Sequence, residues 1–273
     1  MNATGEYDVA FSLGQACACS MTLREANLQF ASFPLDWIAD GTLPSRVDLL
    51  VHRFDHWLEK EDFVYNGRNP INGLGMFRNR KTAFNHLHDF SDGPIENSLA
   101  KVVAKYARRE QRLFRLIEGA RRVLVVYINS AQIGIDRAPS LEDLVKARED
   151  MSRAFPGAAF DIVHFYIDRE VPFDGRSVTT PADGVTEISF DYYDKATDVR
   201  YADTAKALLS LGISVCDYRT DAERKAHNLK NDMKKYKVST RLGLFLAKTR
   251  ERLRRMLAFL PIASIAPFAV CER

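Results

Sequence analysis

The chain has 273 residues, enough to bury a substantial core as one large domain or two small ones. Its 39 basic and 36 acidic side chains leave a net charge of only +3, so bulk charge points to no nucleic-acid partner. Four cysteines in a chain of this length make no disulfide framework, and there is no pair of CxxC units to suggest a metal site. The first residues lack the basic and apolar regions of a secretory signal, and no apolar run reaches the roughly eighteen residues of a membrane helix. A cytoplasmic protein is expected.

The first forty residues organise the chain. Tyr7–Phe11 has strand character, Gly14 supplies a turn, and residues 16–28 read as a helix carrying Leu23 and Leu28. Cys17 or Cys19 then sits at or near a helix start, where unpaired amides and the positive end of the helix favour a thiolate. The alternative is that both are small buried hydrophobes, as cysteines outside disulfides usually are. In residues 30–37, Pro34 pushes Phe33 towards an extended shape. Asp36, held between Leu35 and Trp37, is expected to brace this turn rather than to enter a pocket.

Ser45 and Asp48 read as a capping box for a helix running to Lys60, with His52 and His56 facing solvent on the side opposite the apolar stripe. Residues 65–80, rich in glycine and asparagine, read as a long loop. A strand through 82–90 follows, in which strict alternation puts His86 and His88 on one face and Asp89 on the other. A histidine here is the obvious base for a thiol.

Residues 99–118 form an amphipathic helix whose arginines mostly read as a solvated face. Arg112 lies nearest the apolar side and is placed to reach a buried carboxylate. Residues 121–129 are a continuous apolar strand, Ser140 caps a helix, and 160–167 is a further strand, giving a β-α-β unit with parallel pairing. Asn129 and Asp168 fall at the carboxyl ends of these strands, where open α/β sheets place their chemistry. His164 and Cys216 read as core residues. A strand at 186–190, a helix at 201–211 ended by Gly212 and a strand at 213–218 come next. Two basic helices, 221–237 and 244–260, precede an apolar tail.

The expected fold is α/β, a layered mixed or mostly parallel sheet flanked by helices. Residues 1–240 are read as one domain. Residues 241–273 are read as a basic amphipathic helix and apolar tail, packed on the domain or used for assembly.

The order of these features resembles an uncharacterised bacterial family described as papain-like cysteine peptidases. Ser12-Leu-Gly-Gln-Ala-Cys17, Pro34-Leu-Asp-Trp37, His88-Asp89-Phe90 and the arginine-rich helix through Arg112 carry the resemblance over about residues 7–130. Leu35 replaces a phenylalanine of the family pattern. The resemblance implies a divergent papain-like arrangement with Cys17 as nucleophile and His88 as base, and leaves Asp36 or Asp89 to hold the imidazole. Cys19 and His86 are the fallback pair. Ser12, Gly14, Gln15, Trp37, His86, Arg112 and Asn129 are candidates for the substrate or oxyanion region.

The leading reading is a cysteine-dependent hydrolase or acyltransferase acting on a peptide, amide or ester through a thioester, without metal or cofactor. A second is carbohydrate or nucleotide-sugar chemistry using Asp36, Asp89, Asp168 and the arginines. A third is a noncatalytic interaction protein that forms a homo-oligomer or touches a membrane surface through 244–270.

Overall fold

The computed structural model describes residues 3–14, 17–128, 138–167, 175–190, 201–220, 222–225, 229, 233, 236–240, 242–243 and 245–250. The chain divides into two compact units, Met1–Tyr218 and Arg219–Arg273. In the second, the described residues include helical segments 222–225 and 245–250. Among the described residues no helix is long and apolar enough to cross a membrane.

The first unit is built on a five-stranded sheet in the order β2 (Val9–Gly14), β7 (Arg122–Ile128), β8 (Ala159–Ile167), β10 (Val185–Phe190) and β9 (Ser177–Ala182). The first four are parallel, and β9 runs antiparallel on the edge. This is the expected α/β class. The strands read as apolar runs because both faces are covered. On one face Phe11, Val125 and Ile162 join a core with helices α2 (Leu43–Val51), α3 (Leu99–Glu118) and α4 (Leu141–Ala154). On the other, Ala10, Val126 and Phe165 pack with α1 (Ala18–Glu25) and α5 (Tyr201–Leu209). Helix α3 alone buries Val102, Tyr106, Leu113, Phe114 and Ile117, each worth about 1.5–3 kcal/mol of apolar transfer.

The predicted first strand is two strands. β1 (Gly5–Tyr7) pairs parallel with β11 (Ile213–Val215), and β2 continues in the large sheet. Asp8 makes the break, its carboxylate accepting the amides of Arg121 and Arg122 at 2.8 and 2.9 Å. Cys216, just past β11, is exposed rather than core, because the small β1–β11 sheet ends there; its thiol donates to Glu6 at 3.2 Å.

A four-stranded antiparallel sheet, β3 (Ile38–Ala39), β6 (Asn85–Phe90), β5 (Gly75–Asn79) and β4 (Phe63–Arg68), replaces most of the long loop expected at 65–80. Asn69, Asn72 and Gly73 lie in the β4–β5 turn, and Asn66, Gly67, Gly75 and Asn79 lie in the strands. Asn69 Oδ1 takes the Ile71 amide and Asn72 Oδ1 takes the Leu74 amide, both at 2.9 Å, so they serve as turn-forming side chains between strands.

Helix α2 also departs from expectation. Thr42, not Ser45, is its N-cap, with Pro44 in the first turn, and it ends at Val51 instead of Lys60. Arg53, Phe54 and His56 take left-handed φ values of 57°, 58° and 49°. That turn drives Phe54 and Trp57 into contact with Phe114 and Tyr106 on α3, and burial of the two aromatics offsets the backbone cost. His52 and His56 face solvent.

Candidate active site

Cys17 is the N-cap residue of α1, with φ −81° and ψ −14°, and its side chain makes no capping hydrogen bond. Its carbonyl accepts the Met21 amide at 2.9 Å, which begins the helix. The first-turn amides ahead of Met21 have no partner within the helix, as at any helix start. The side chain is half-buried. Gly14 leads into this corner with φ +108°, where the β2–β7 ladder shifts register.

Cys19 occupies a different environment. It is buried, and its thiol donates to the carbonyls of Gly14 and Val126. Burial pushes this thiol well above its ordinary pKa, which suits a packed hydrophobe and not a nucleophile. Ser12 is buried as well, and its hydroxyl accepts the Gly14 amide at 2.9 Å. That amide is therefore not available to an oxyanion.

Arg46 fixes the corner from beneath. It is fully buried, with Nη1 donating to Leu13 O at 2.9 Å and Nη2 to Ile38 O at 2.9 Å and to Asp40 O. Its guanidinium lies 5.0 Å from the centroid of Phe84. A β-carbon on Gly14 would come within 2.3 Å of Arg46 Nη1, so both the positive φ and the guanidinium demand glycine there. One side chain thus joins the end of β2, which leads to Cys17, to β3, whose partner β6 carries the histidines. The sequence offers one signal for this residue: Arg46 falls on the apolar side of α2, three residues after Leu43 and four before Leu50.

On β6 the alternation fails. Gly75 pairs with Phe90 and Phe77 with His86, so two residues of advance on β5 face four on β6. This irregularity brings Asp89 to the face of His86 and leaves His88 exposed, a correction to the expected arrangement. His86 is fully buried among Trp57, Phe63, Phe90 and Tyr106. Its Nδ1 bonds Asp89 Oδ2 at 2.9 Å, and Asp89 also accepts from Lys105 Nζ and from Tyr106 Oη, the latter at 2.7 Å. Burial alone would raise the Asp89 pKa. Hydrogen bonding and charge from His86 and Lys105 outweigh it and hold the carboxyl well below its usual range.

His88 is bonded not to an aspartate but to Asn72, whose Nδ2 lies 2.9 Å from its Nδ1. The orientation of the Asn72 amide is set by two backbone partners, since Oδ1 takes the Leu74 amide and Nδ2 also reaches Leu87 O at 3.2 Å. Nδ1 of His88 therefore accepts, and the neutral ring carries its proton on Nε2. The ring meets Trp37 edge-on at 6.3 Å, and Arg24 lies 5.9 Å from the Trp37 centroid. Through Trp37 and Arg24 the neighbourhood of His88 connects to α1. Cys17 and Arg24 are seven residues apart on that helix, about 10 Å at 1.5 Å per residue.

Asp36 holds neither histidine. It is fully buried, and its Oδ2 accepts from Gln29 Nε2 at 2.7 Å, Phe33 N at 2.9 Å and Arg24 Nη2 at 3.3 Å. These bonds brace the 3-10 turn Pro34–Trp37. Burial raises its pKa against the pull of the Phe33 amide, Gln29, Arg24 and Arg109. Arg112 reaches a carbonyl, Ser32 O at 2.9 Å, rather than a carboxylate. Gln15, Asn129 and Asp168 lie outside the described residues. Among the described residues no three His, Cys, Asp or Glu side chains are grouped to hold a metal ion.

The thiol at the start of α1 and the histidines of the antiparallel sheet thus stand on two supports that Arg46 joins, and no contact links Cys17 to either histidine among the described residues. Comparison with curated proteins finds no match. A family model described as "Putative papain-like cysteine peptidase" matches residues 8–168, which include β2, Cys17, the Pro34–Trp37 turn, both histidines and the first parallel strands after them. This span is more than half of the chain and contains every element just described around Cys17 and His88, and the chain belongs to that family.

Proposed function

We propose that the protein is a cysteine-dependent acyl-transfer enzyme, a hydrolase or acyltransferase, with Cys17 as nucleophile and His88 as its proton-transfer partner. The observation that carries this reading is the half-buried Cys17 at a helix N-terminus, beside a thiol, Cys19, that is sealed in the core. The Cys17 thiolate attacks the carbonyl of a peptide, amide or ester. First-turn amides of α1 donate to the developing oxyanion, and the collapse of the intermediate expels the amine or alcohol and leaves a thioester. Water or another acceptor then releases the acyl group and restores the thiol. In this reading the oxyanion donors among the described residues are first-turn amides of α1, because Gly14 N is held by Ser12.

His88 acts through whichever ring nitrogen is bare. In the structure that is Nδ1, which accepts from Asn72. Taking the thiol proton requires the Asn72 amide to release Nδ1, which then takes the proton itself or receives the ring proton from Nε2 and leaves Nε2 to take it; the protonated ring then donates to the leaving group. Asn72 is in this reading the residue that orients the imidazole. His86 and Asp89 make a hydrogen-bonded pair of the right kind, but aromatic burial removes it from substrate, and its role is to tie the antiparallel sheet to α3.

The test is the pH–rate profile of iodoacetamide alkylation at each cysteine, read by peptide mass spectrometry on the folded native protein and on His88→Ala. Cys17 is expected to label fastest at neutral pH and to slow when His88 is removed. Equal rates at Cys17 in the two proteins would remove the pair.

A further inference from the structure

Three arginines act on the Phe30–Trp37 segment, and among the described residues one of them, Arg24, is ion-paired, to Asp36. Arg24 Nη2 donates to Ala31 O at 3.3 Å, to Ser32 Oγ at 3.1 Å and to Asp36. Arg112 Nη1 donates to Ser32 O, on the same residue whose hydroxyl Arg24 reaches. Arg109, three residues before Arg112 and so its neighbour on the surface of α3, lies 5.2 Å from the Tyr106 centroid and acts electrostatically on Asp36. Asp89, the next carboxylate, is already matched by Lys105 and His86. Asp36 is thus ion-paired to Arg24, and neither Arg109 nor Arg112 has an ion pair among the described residues.

The donors are unspent as well. Arg112 uses one of its five N–H groups, and the Nη1 of Arg109 is buried without an acceptor among the described residues. A buried guanidinium N–H left in this state costs about 1–3 kcal/mol, which an incoming oxyanion would recover through charge-assisted hydrogen bonds. Arg24 is one-third exposed and lies against Trp37, whose edge meets His88. The part of the cluster that reaches solvent beside Trp37 is therefore Arg24.

We propose that Arg24, Arg109 and Arg112 form a recognition site for an oxyanion group, a carboxylate or a phosphate carried by the ligand. The site stands on the arginines alone. Combined with the acyl-transfer reading, on which this extension rests, it selects acyl compounds that also bear a negative group.

The test is calorimetric titration of the full chain with inorganic phosphate and, separately, with N-acetylglutamate. Arg24 is left in place because it neutralises buried Asp36. Arg109→Gln and Arg112→Gln are compared with the native protein, with Arg115→Gln on the exposed side of α3 as a charge control and Cys17→Ser as a site control. Saturable binding of either probe, weakened at least about tenfold by Arg109→Gln or Arg112→Gln and unchanged by the two controls, is the expected result. The probe that binds identifies the group. Absence of saturable binding by both probes, or binding lost equally in Arg115→Gln, overturns the proposal, and a water molecule then satisfies Arg109. Because Cys17→Ser is expected to bind normally, a failed alkylation test leaves this result standing, and a failed titration leaves the Cys–His pair standing. Thermal melts of Arg109→Gln and Arg112→Gln separate lost binding from lost folding; should either be unfolded, Arg109→Lys and Arg112→Lys, which keep the charge but lose the planar fork, are expected to show the same order of weakening.

Discussion

Replacing Arg46 by methionine is expected to unfold the corner that carries Cys17. Methionine fills much of the same space but offers no donor to Leu13 O, Ile38 O or Asp40 O, all three of which now receive a guanidinium N–H. Hydrogen bonds from a charged donor contribute about 1.5–3 kcal/mol each. Against this, removing a buried cation recovers desolvation energy of several kcal/mol. The net loss is expected to be on the order of 3–5 kcal/mol, the usual consequence of deleting one partner from a buried polar cluster. For a unit of this size that corresponds to a fall of roughly 10 °C in Tm. Urea unfolding followed by tryptophan fluorescence gives the free energy, and alkylation of Cys17 in the folded baseline gives the local effect. The thiol should become less selective in its reactivity, because Gly14 no longer has the guanidinium against it. A loss below about 1 kcal/mol together with an unchanged Cys17 rate would refute the clamp.

Other predictions follow from the same geometry. Gly14→Ala meets both a φ of +108° and Arg46 Nη1 at 2.3 Å, and is expected to cost about 2–4 kcal/mol in urea unfolding; a neutral substitution would contradict the placement. Asp89, held below its usual pKa when folded, contributes stability that is full above the unfolded value near 4 and is lost as pH falls through the folded value. Native stability should therefore decline below about pH 4 more steeply than that of Asp89→Asn, measured by urea midpoints across pH 2–7. Asp36, whose pKa is raised, has the opposite sign: its ionised form is disfavoured by folding, so Asp36→Asn should be milder at pH 7 than Asp89→Asn in the same urea titrations. Asn72→Asp turns its hydrogen bond round, accepting from Nδ1–H of His88 and leaving Nε2 bare, and is expected to change the Cys17 alkylation rate severalfold; an unchanged rate would separate Asn72 from the thiol chemistry. Cys19 should resist alkylation until the protein unfolds, whereas exposed Cys216, its thiol raised by the Glu6 hydrogen bond, should label slowly at neutral pH.

Sequence alone determined the class of the fold and the corner that holds Cys17. The apolar runs at 121–129 and 160–167, with an amphipathic helix between them, admit few structures other than parallel strands covered on two faces. The glycine turn before Cys17 and the brace at Asp36 were legible for the same reason: local backbone demands are written in neighbouring residues. The tertiary structure decided what depends on partners distant in the chain. Helix α2 stops early because Phe54 and Trp57 gain more by packing under α3 than by continuing the helix. Residues 65–80 form strands because β6 supplies a ladder that their own composition does not suggest. A ladder irregularity on β6 exchanges the expected faces, giving Asp89 to His86 and leaving His88 with Asn72. Arg46 could be seen on the apolar side of its helix, but its three carbonyl acceptors belong to residues 13, 38 and 40, and only folding brings them to one guanidinium. Alternation and capping act over a few residues and are therefore readable in order; hydrogen bonds and charge compensation act across space, and the chain must close before they have partners.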